Sequence, residues 1–170
     1  RYGTVTGVQT CALPIWVSAF SGLEAHRDIE VEDVAVAALE FVNGARGVIQ
    51  ASTACYSNHG LPASIHICGD HGSIMMTDDR FSLWDLKDTR PEDEQVLAKH
   101  GANAEAAGAG AADPKAISFH WHQRNFENAF EALRKSQKPA IDGAEGRKAV
   151  ALINAIYASA QAGGAPVSLE

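Results

Sequence analysis

Asn43-Gly44, set between two apolar runs that carry β-branched residues, constrains this chain more than any other pair of residues. Glycine has no Cβ to make a positive φ costly, and asparagine tolerates that region better than most residues, so the pair marks a tight hairpin turn. The stretch from 33 to 56, DVAVAALEFVNGARGVIQASTACY, therefore reads as two long antiparallel strands. A two-residue loop would pair Val42 with Ala45 and set Val34, Val36 and Ala38 beside Thr53, Ala51 and Ile49 on one face. Ala35, Ala37, Leu39 and Phe41 would then share the other face with Ser52, Gln50, Val48 and Arg46. Both faces are at least half apolar. One needs covering helices, and the other needs a second layer or a partner subunit.

A chain of 170 residues, 46% of them hydrophobic, is expected to form one domain with a buried core. Its net charge of −7 argues against nucleic acid or an anionic membrane surface as partner and leaves small molecules or proteins. There is no apolar run of about eighteen residues and no charged segment leading into an apolar one, so the expected location is cytoplasmic. Cys11, Cys55 and Cys68 are odd in number and lack CxxC spacing, which suits buried or idle thiols better than a disulfide framework or a zinc knuckle.

Residues 1–16, RYGTVTGVQTCALPIW, show no sustained period and resemble translated sequencing-adapter DNA. They are expected to be a non-native or disordered leader, with one α/β domain from 17 to 170. VSAFSGL at 17–23 alternates as a strand, with Val17 and Ala19 on one side and Ser18 and Phe20 on the other. After the hairpin and a loop at 57–62, three more strands follow: ASIHICG, SIMMTD and RFSLWDL, the last with Phe81 and Leu83 opposing Trp84. Residues 87–117, charged and then low in complexity, are expected to be a variable surface loop. A helix should run from about 113 to 135 with Phe119, His122, Phe126, Ala129, Phe130 and Leu133 in one apolar stripe. Asp142 and Glu145 resemble a capping box for a second helix over 143–161, with Val150, Ile153, Ile156, Tyr157 and Ala160 inward. Gly163-Gly164 ends it before a short strand at PVSL.

The fold class expected is α+β: an open, mostly antiparallel meander with two C-terminal helices on one face. This order resembles the C-terminal domain of the glucose-fructose oxidoreductase and inositol dehydrogenase (Gfo/Idh/MocA) family. The matching stretches are IEVEDVAVAALEFVNGARGVIQASTACY at 29–56, IHICGDHGSIMMTDDRFSLW at 65–84 and NFENAFEALRKSQKPAIDGAEGRKAVALINAIYASAQAGGAPV at 125–167. Enzymes of that family carry an N-terminal Rossmann domain that binds NAD or NADP and supplies an E-K-P motif. Neither feature is found in these residues. Gly108-Ala-Gly110 lacks the third glycine of a dinucleotide fingerprint and follows no strand, and Lys138-Pro139 is preceded by Gln137. The resemblance thus implies a catalytically incomplete chain that binds no cofactor alone. Its partners would be a Rossmann domain, a small sugar or polyol, and a second copy through the open sheet face.

In the family the substrate lies against the edge of this sheet, which points to the loop after the hairpin. Tyr56 matches a position where some relatives present a tyrosine to the sugar; the competing reading is a half-buried edge tyrosine. Asn58 and His59 share that loop and are either substrate contacts or solvated turn residues. His122, on the apolar stripe, is either a cleft residue suited to proton transfer near neutral pH or a core histidine. The histidines show no ligand spacing for a metal. Arg147 matches the family's helix start and is expected to pair with Glu145 or Asp142. Two readings of another class also stand: a non-enzymatic self-associating or ligand-binding sheet domain, and a small hydrolase built on Cys55 with His59 or His122.

Overall fold

The computed structural model describes residues 13–58, 61–102 and 119–169. In chain order its elements are β1 (Pro14–Gly22), β2 (Val34–Phe41), β3 (Arg46–Ser52), β4 (Ser64–Gly69), β5 (Gly72–Thr77) and β6 (Arg80–Leu86). These are followed by α1 (Pro91–His100), α2 (His120–Arg134), α3 (Gly143–Gln161) and β7 (Val167–Ser168). The fold is α+β, with open antiparallel sheets and C-terminal helices. The strands divide between two sheets ordered β3-β2-β1-β7 and β4-β5-β6. These belong to two compact units, one formed up to Cys55 and from Lys138 onward, the other by Tyr56–Gln137.

In the first unit, alternation along β1 turns Val17 and Ala19 inward, and they form the core with Ala37, Leu39 and Ala155. Phe41, Ile49, Leu152, Ile156, Val167 and Leu169 pack around them. The strand begins at Pro14, so residues 14–16 of the stretch read as a leader are the first three of β1, and Trp16 pairs with Glu40 and Ser168.

The hairpin forms, but its register differs from the expected one by a single residue. Ala37 lies opposite Ile49, and Val34 opposite Ser52. The loop is three residues long rather than two. Gly44 N–H donates to Phe41 O at 2.8 Å, Phe41 N–H donates to Ala45 O at 3.0 Å, and Gly44 takes φ +82° as the bulge that follows the turn. A slip of one residue exchanges partners between faces, and burial decides which register wins. The observed one gathers Ala37, Leu39, Phe41 and Ile49 under α3, whereas the two-residue loop would have split that apolar set.

Helix α3 starts and stops where the sequence places it. Asp142 caps it by accepting Glu145 N–H at 2.9 Å, and Gly163 and Gly164 end it at φ +68° and +89°. Its buried face is Leu152, Ala155, Ile156 and Ser159, so Val150, Ile153 and Tyr157 turn outward instead of inward. Small residues at 155 and 159 let the helix axis approach the sheet closely. Lys148, rather than Arg147, pairs with Glu145, at 2.6 Å.

Asp33 opens β2 with a side chain wholly buried. Its carboxylate accepts the backbone N–H groups of Glu24 at 2.7 Å and of Ala25 and His26 at 2.8 Å, with His26 Nδ1 at 3.2 Å. The charged connection 24–32 is thereby folded onto the start of the strand.

In the second unit, β5 is the central strand of its sheet. An irregularity between Met75 and Met76 inserts a residue opposite them in β6. Phe81 and Trp84 therefore share a face, ring centroids 4.8 Å apart and edge-on, instead of pointing apart as simple alternation predicts. Residues 91–100, expected to be loop, form α1. The signals were present: proline at the first position, Glu92, Asp93 and Glu94 in the first turn, and Lys99 and His100 in the last. Asp93 Oδ2 accepts Arg90 N–H at 2.8 Å, satisfying an amide next to the helix start, and Gly101 bridges to Phe81. Helix α2 bears its polar pairs at i,i+4, Gln123 with Glu127 and Lys135 with Glu131. Its apolar stripe of Phe119, Phe126, Phe130 and Leu133 is exposed rather than buried. The part of the expected helix at 113–118 lies outside the described residues.

Candidate functional site

The loop after β3 begins where the Ser52 hydroxyl accepts Ala54 N–H at 3.0 Å, a local turn that takes the chain out of the sheet ladder. Four residues beyond Ser52, Tyr56 is 88% exposed, and its phenol donates to Asn58 Oδ1 at 2.5 Å. That bond orients the phenol, leaving its oxygen lone pairs as acceptors and the Asn58 amide hydrogens as donors. An exposed ring beside such a pair is suited to stacking on the apolar face of a polyhydroxylated molecule while exchanging hydrogen bonds with its hydroxyls. Tyr56 and Asn58 are thus brought together. His59 lies outside the described residues. His122 sits in the first turn of α2 with its side chain exposed, so the core-histidine alternative does not describe it. Cys55 and Cys68 are exposed as well, so of the buried or idle thiols expected they are not the buried kind, and Cys68 Sγ lies 3.3 Å from His66 Nε2.

A concavity in the first unit was not singled out in the sequence. It is an open groove of about 380 Å³ lined by Ser21, Gly22, Leu23, Glu30, Val31, Glu32, Tyr157 and Gln161. Tyr157 donates its phenolic hydrogen to Glu32 Oε1 at 2.7 Å, and this bond, together with the carboxylate's charge, raises the phenol's pKa above its ordinary value. A signal for it was the phase of α3: once Ala155 and Ser159 face the sheet, position 157 must face away from it.

The starts of α1 and α3 do not suit the pyrophosphate of a dinucleotide. Pyrophosphate needs a glycine-rich turn running from a strand into a helix N-terminus with free amides. The first turn of α1 carries Glu92, Asp93 and Glu94, and α3 is capped by Asp142 with Glu145 in its first turn. Both ends repel a diphosphate. Among the described residues, no three His, Cys, Asp or Glu side chains converge to hold a metal ion, and no helix is long and apolar enough to cross a membrane.

Residues 12–169 match the family described as the oxidoreductase family, C-terminal alpha/beta domain. The WlbA dehydrogenase of Bordetella pertussis, solved in complex with NADH and UDP-GlcNAcA, is 28% identical, with a TM-score of 0.72 over 93% of this chain and 40% of that one. The corresponding enzyme of Chromobacterium violaceum, also with NADH and UDP-GlcNAcA, is 26% identical with the same TM-score, over 93% and 41%. An oxidoreductase from Agrobacterium radiobacter, solved with NAD+, L-tartaric acid and magnesium, shares the fold at 23% identity and a TM-score of 0.64, over 92% and 43%. The chain thus spans about two fifths of the length of these enzymes. A comparison of the sequence with curated proteins gave no match.

Proposed function

Given that this chain belongs to the Gfo/Idh/MocA oxidoreductase family through its C-terminal alpha/beta domain, we propose that it is the substrate-side part of an NAD(P)-dependent sugar or polyol dehydrogenase. The observation that carries this reading is the match across 12–169, joined to a TM-score of 0.72 with two dehydrogenases solved with NADH and a nucleotide sugar. In this reading the nucleotide is held by a Rossmann domain acting in concert with this one, as the resemblance to the NADH-bound dehydrogenases suggests.

The chemistry this chain contributes is positional. Tyr56 and Asn58, with His59 in the same loop and His122 at the start of α2, bind and orient substrate hydroxyls; the oxidation itself is the nicotinamide's. Orientation of this kind acts by holding the reacting carbon in place rather than by moving a proton. The enzyme works in the cytoplasm, and two copies associate through the face of the larger sheet that α3 leaves open. That face presents Trp16, Phe20, Val36 and Val48, the last 83% exposed.

The test is reconstitution. This chain, fused behind the part of the Bordetella pertussis enzyme that precedes the matching domain, should form NADH with UDP-GlcNAcA or another sugar or polyol. A folded fusion that binds NAD but oxidises none of a broad panel of sugars, polyols and nucleotide sugars would overturn the reading.

A further inference from the structure

Asn43 is the only asparagine in the sequence followed by glycine; Asn58, Asn103, Asn125, Asn128 and Asn154 all precede residues that carry a Cβ. The difference matters because an asparagine side chain can be attacked by the backbone nitrogen of the next residue, and a Cβ on that residue hinders the approach. The turn that holds Asn43 is exposed, so water reaches it. Both reacting groups are nevertheless engaged. Gly44 N–H, the future nucleophile, donates to Phe41 O at 2.8 Å, and Asn43 Oδ1, on the carbon to be attacked, accepts Ala45 N–H at 3.0 Å.

We infer that Asn43-Gly44 is a spontaneous deamidation site held in check by its own turn, so that its modification reports opening of the hairpin. Gly44 loses its amide proton and its nitrogen forms a bond to Asn43 Cγ. The Cγ–Nδ2 bond breaks, and ammonia leaves with a proton. Water then opens the resulting succinimide at either carbonyl, giving aspartate or isoaspartate. The net change is one water consumed and one ammonia released, with no oxidant or reductant. In the folded turn, the Gly44 nitrogen must give up Phe41 O and the Asn43 amide must give up Ala45 before the ring can close. Closure is therefore gated by local opening.

The isoaspartate product carries an extra backbone carbon inside a loop closed by Phe41 and Ala45. The closure that sets Ala37 opposite Ile49 no longer spans the same path. A modified chain should therefore lose the register that places Ile49 beneath α3, and the damage, once made, keeps the hairpin open.

The experiment ages the full chain at mildly alkaline pH, in buffer and across a urea series, and maps aspartate and isoaspartate by peptide mass spectrometry. Circular dichroism is followed on the same samples. In full urea, Asn43 should deamidate faster than every other asparagine. In buffer the rate should fall by on the order of tenfold or more, as two hydrogen bonds are worth, and it should rise through the urea series with the loss of sheet signal. Equal rates in buffer and urea, with the sheet signal intact in buffer, would overturn the gating. Faster reaction at Asn58 or Asn154 in urea would overturn the site. Ala45→Pro, which removes the N–H donated to Asn43, should raise the native rate; no rise in a variant that keeps its sheet signal also counts against the gating.

Discussion

The Ser159 hydroxyl accepts Ala19 N–H at 2.8 Å, joining residues 140 positions apart. Strand β7 is two residues long and pairs with β1 only at Trp16 and Val17. At Ala19 that edge of β1 has run out of partner, and its amide is buried. Ser159, itself fully buried, takes the place of the missing strand and passes its own hydrogen to Ala165 O at 2.7 Å. One side chain thus fixes the rotation of α3, satisfies the sheet edge and anchors the turn into β7.

Ser159→Ala should accordingly lower stability by about 2 kcal/mol, because it strands a buried donor and a carbonyl, a loss that alanine's better helix propensity offsets only in part. Urea denaturation should show a lower midpoint at unchanged slope. A midpoint within error of the parent would show that water replaces the hydroxyl.

Asp33 makes the fold sensitive to acid. Backbone N–H groups, Glu24's first and then those of His26 and Ala25, favour its anion and hold its carboxyl well below the usual range; burial opposes this and is outweighed. A carboxyl that binds its proton more weakly when folded stabilises the fold fully above its unfolded value of about 3.9. That contribution is lost as pH falls from there toward the folded value. Asp33→Asn should be less stable than the parent at neutral pH and show a shallower decline on acidification. Parallel stability–pH curves for the two proteins would contradict the assignment.

Two glycines with nearly equal φ should respond differently to alanine. At Gly44, φ +82°, an added Cβ meets no atom within 4 Å, so Gly44→Ala should cost only the backbone strain, about 1 kcal/mol. At Gly164, φ +89°, the Cβ would lie 2.3 Å from Phe20 Cζ, and Gly164→Ala should cost about 3 kcal/mol because the ring must also move. Equal losses in thermal denaturation would mean that the Phe20 ring yields freely.

Val48 tests the open sheet face. Val48→Lys puts a charge on an already exposed position of edge strand β3, so it should leave the monomer's stability nearly unchanged. If two copies meet there, light scattering should show the parent as a dimer and the variant as a monomer at the same concentration. Identical masses would place any self-association elsewhere.

Tyr56→Phe removes the phenol but keeps the ring. In a reconstituted dehydrogenase the expected result is a higher KM with little change in kcat, the pattern of lost ground-state binding. A collapse of kcat alone would instead give Tyr56 a part in the chemical step.

The sequence by itself determined what depends on neighbours in the chain. The position of the Asn43-Gly44 turn, though not its length, the Asp142 cap, the Gly163-Gly164 stop and the alternation of β1 are each decided within a few residues, and each appears where it is expected. The family was legible for the same reason, since its pattern is a series of such local signals in order. Helix α1 has an equally local proline and acidic first turn, but its ten residues are mostly polar and carry no apolar stripe at helical spacing to set it apart from the polar run that follows. The candidate site was legible only as far as the loop that holds it; the bond between Tyr56 and Asn58 needed coordinates. Only the tertiary structure decided the hairpin register, the face that α3 buries and the pairing of Phe81 with Trp84. Each is a choice between phases one residue apart, and local propensity is nearly the same for both. What separates them is distant: Ile49 must meet α3, and Ser159 must reach Ala19.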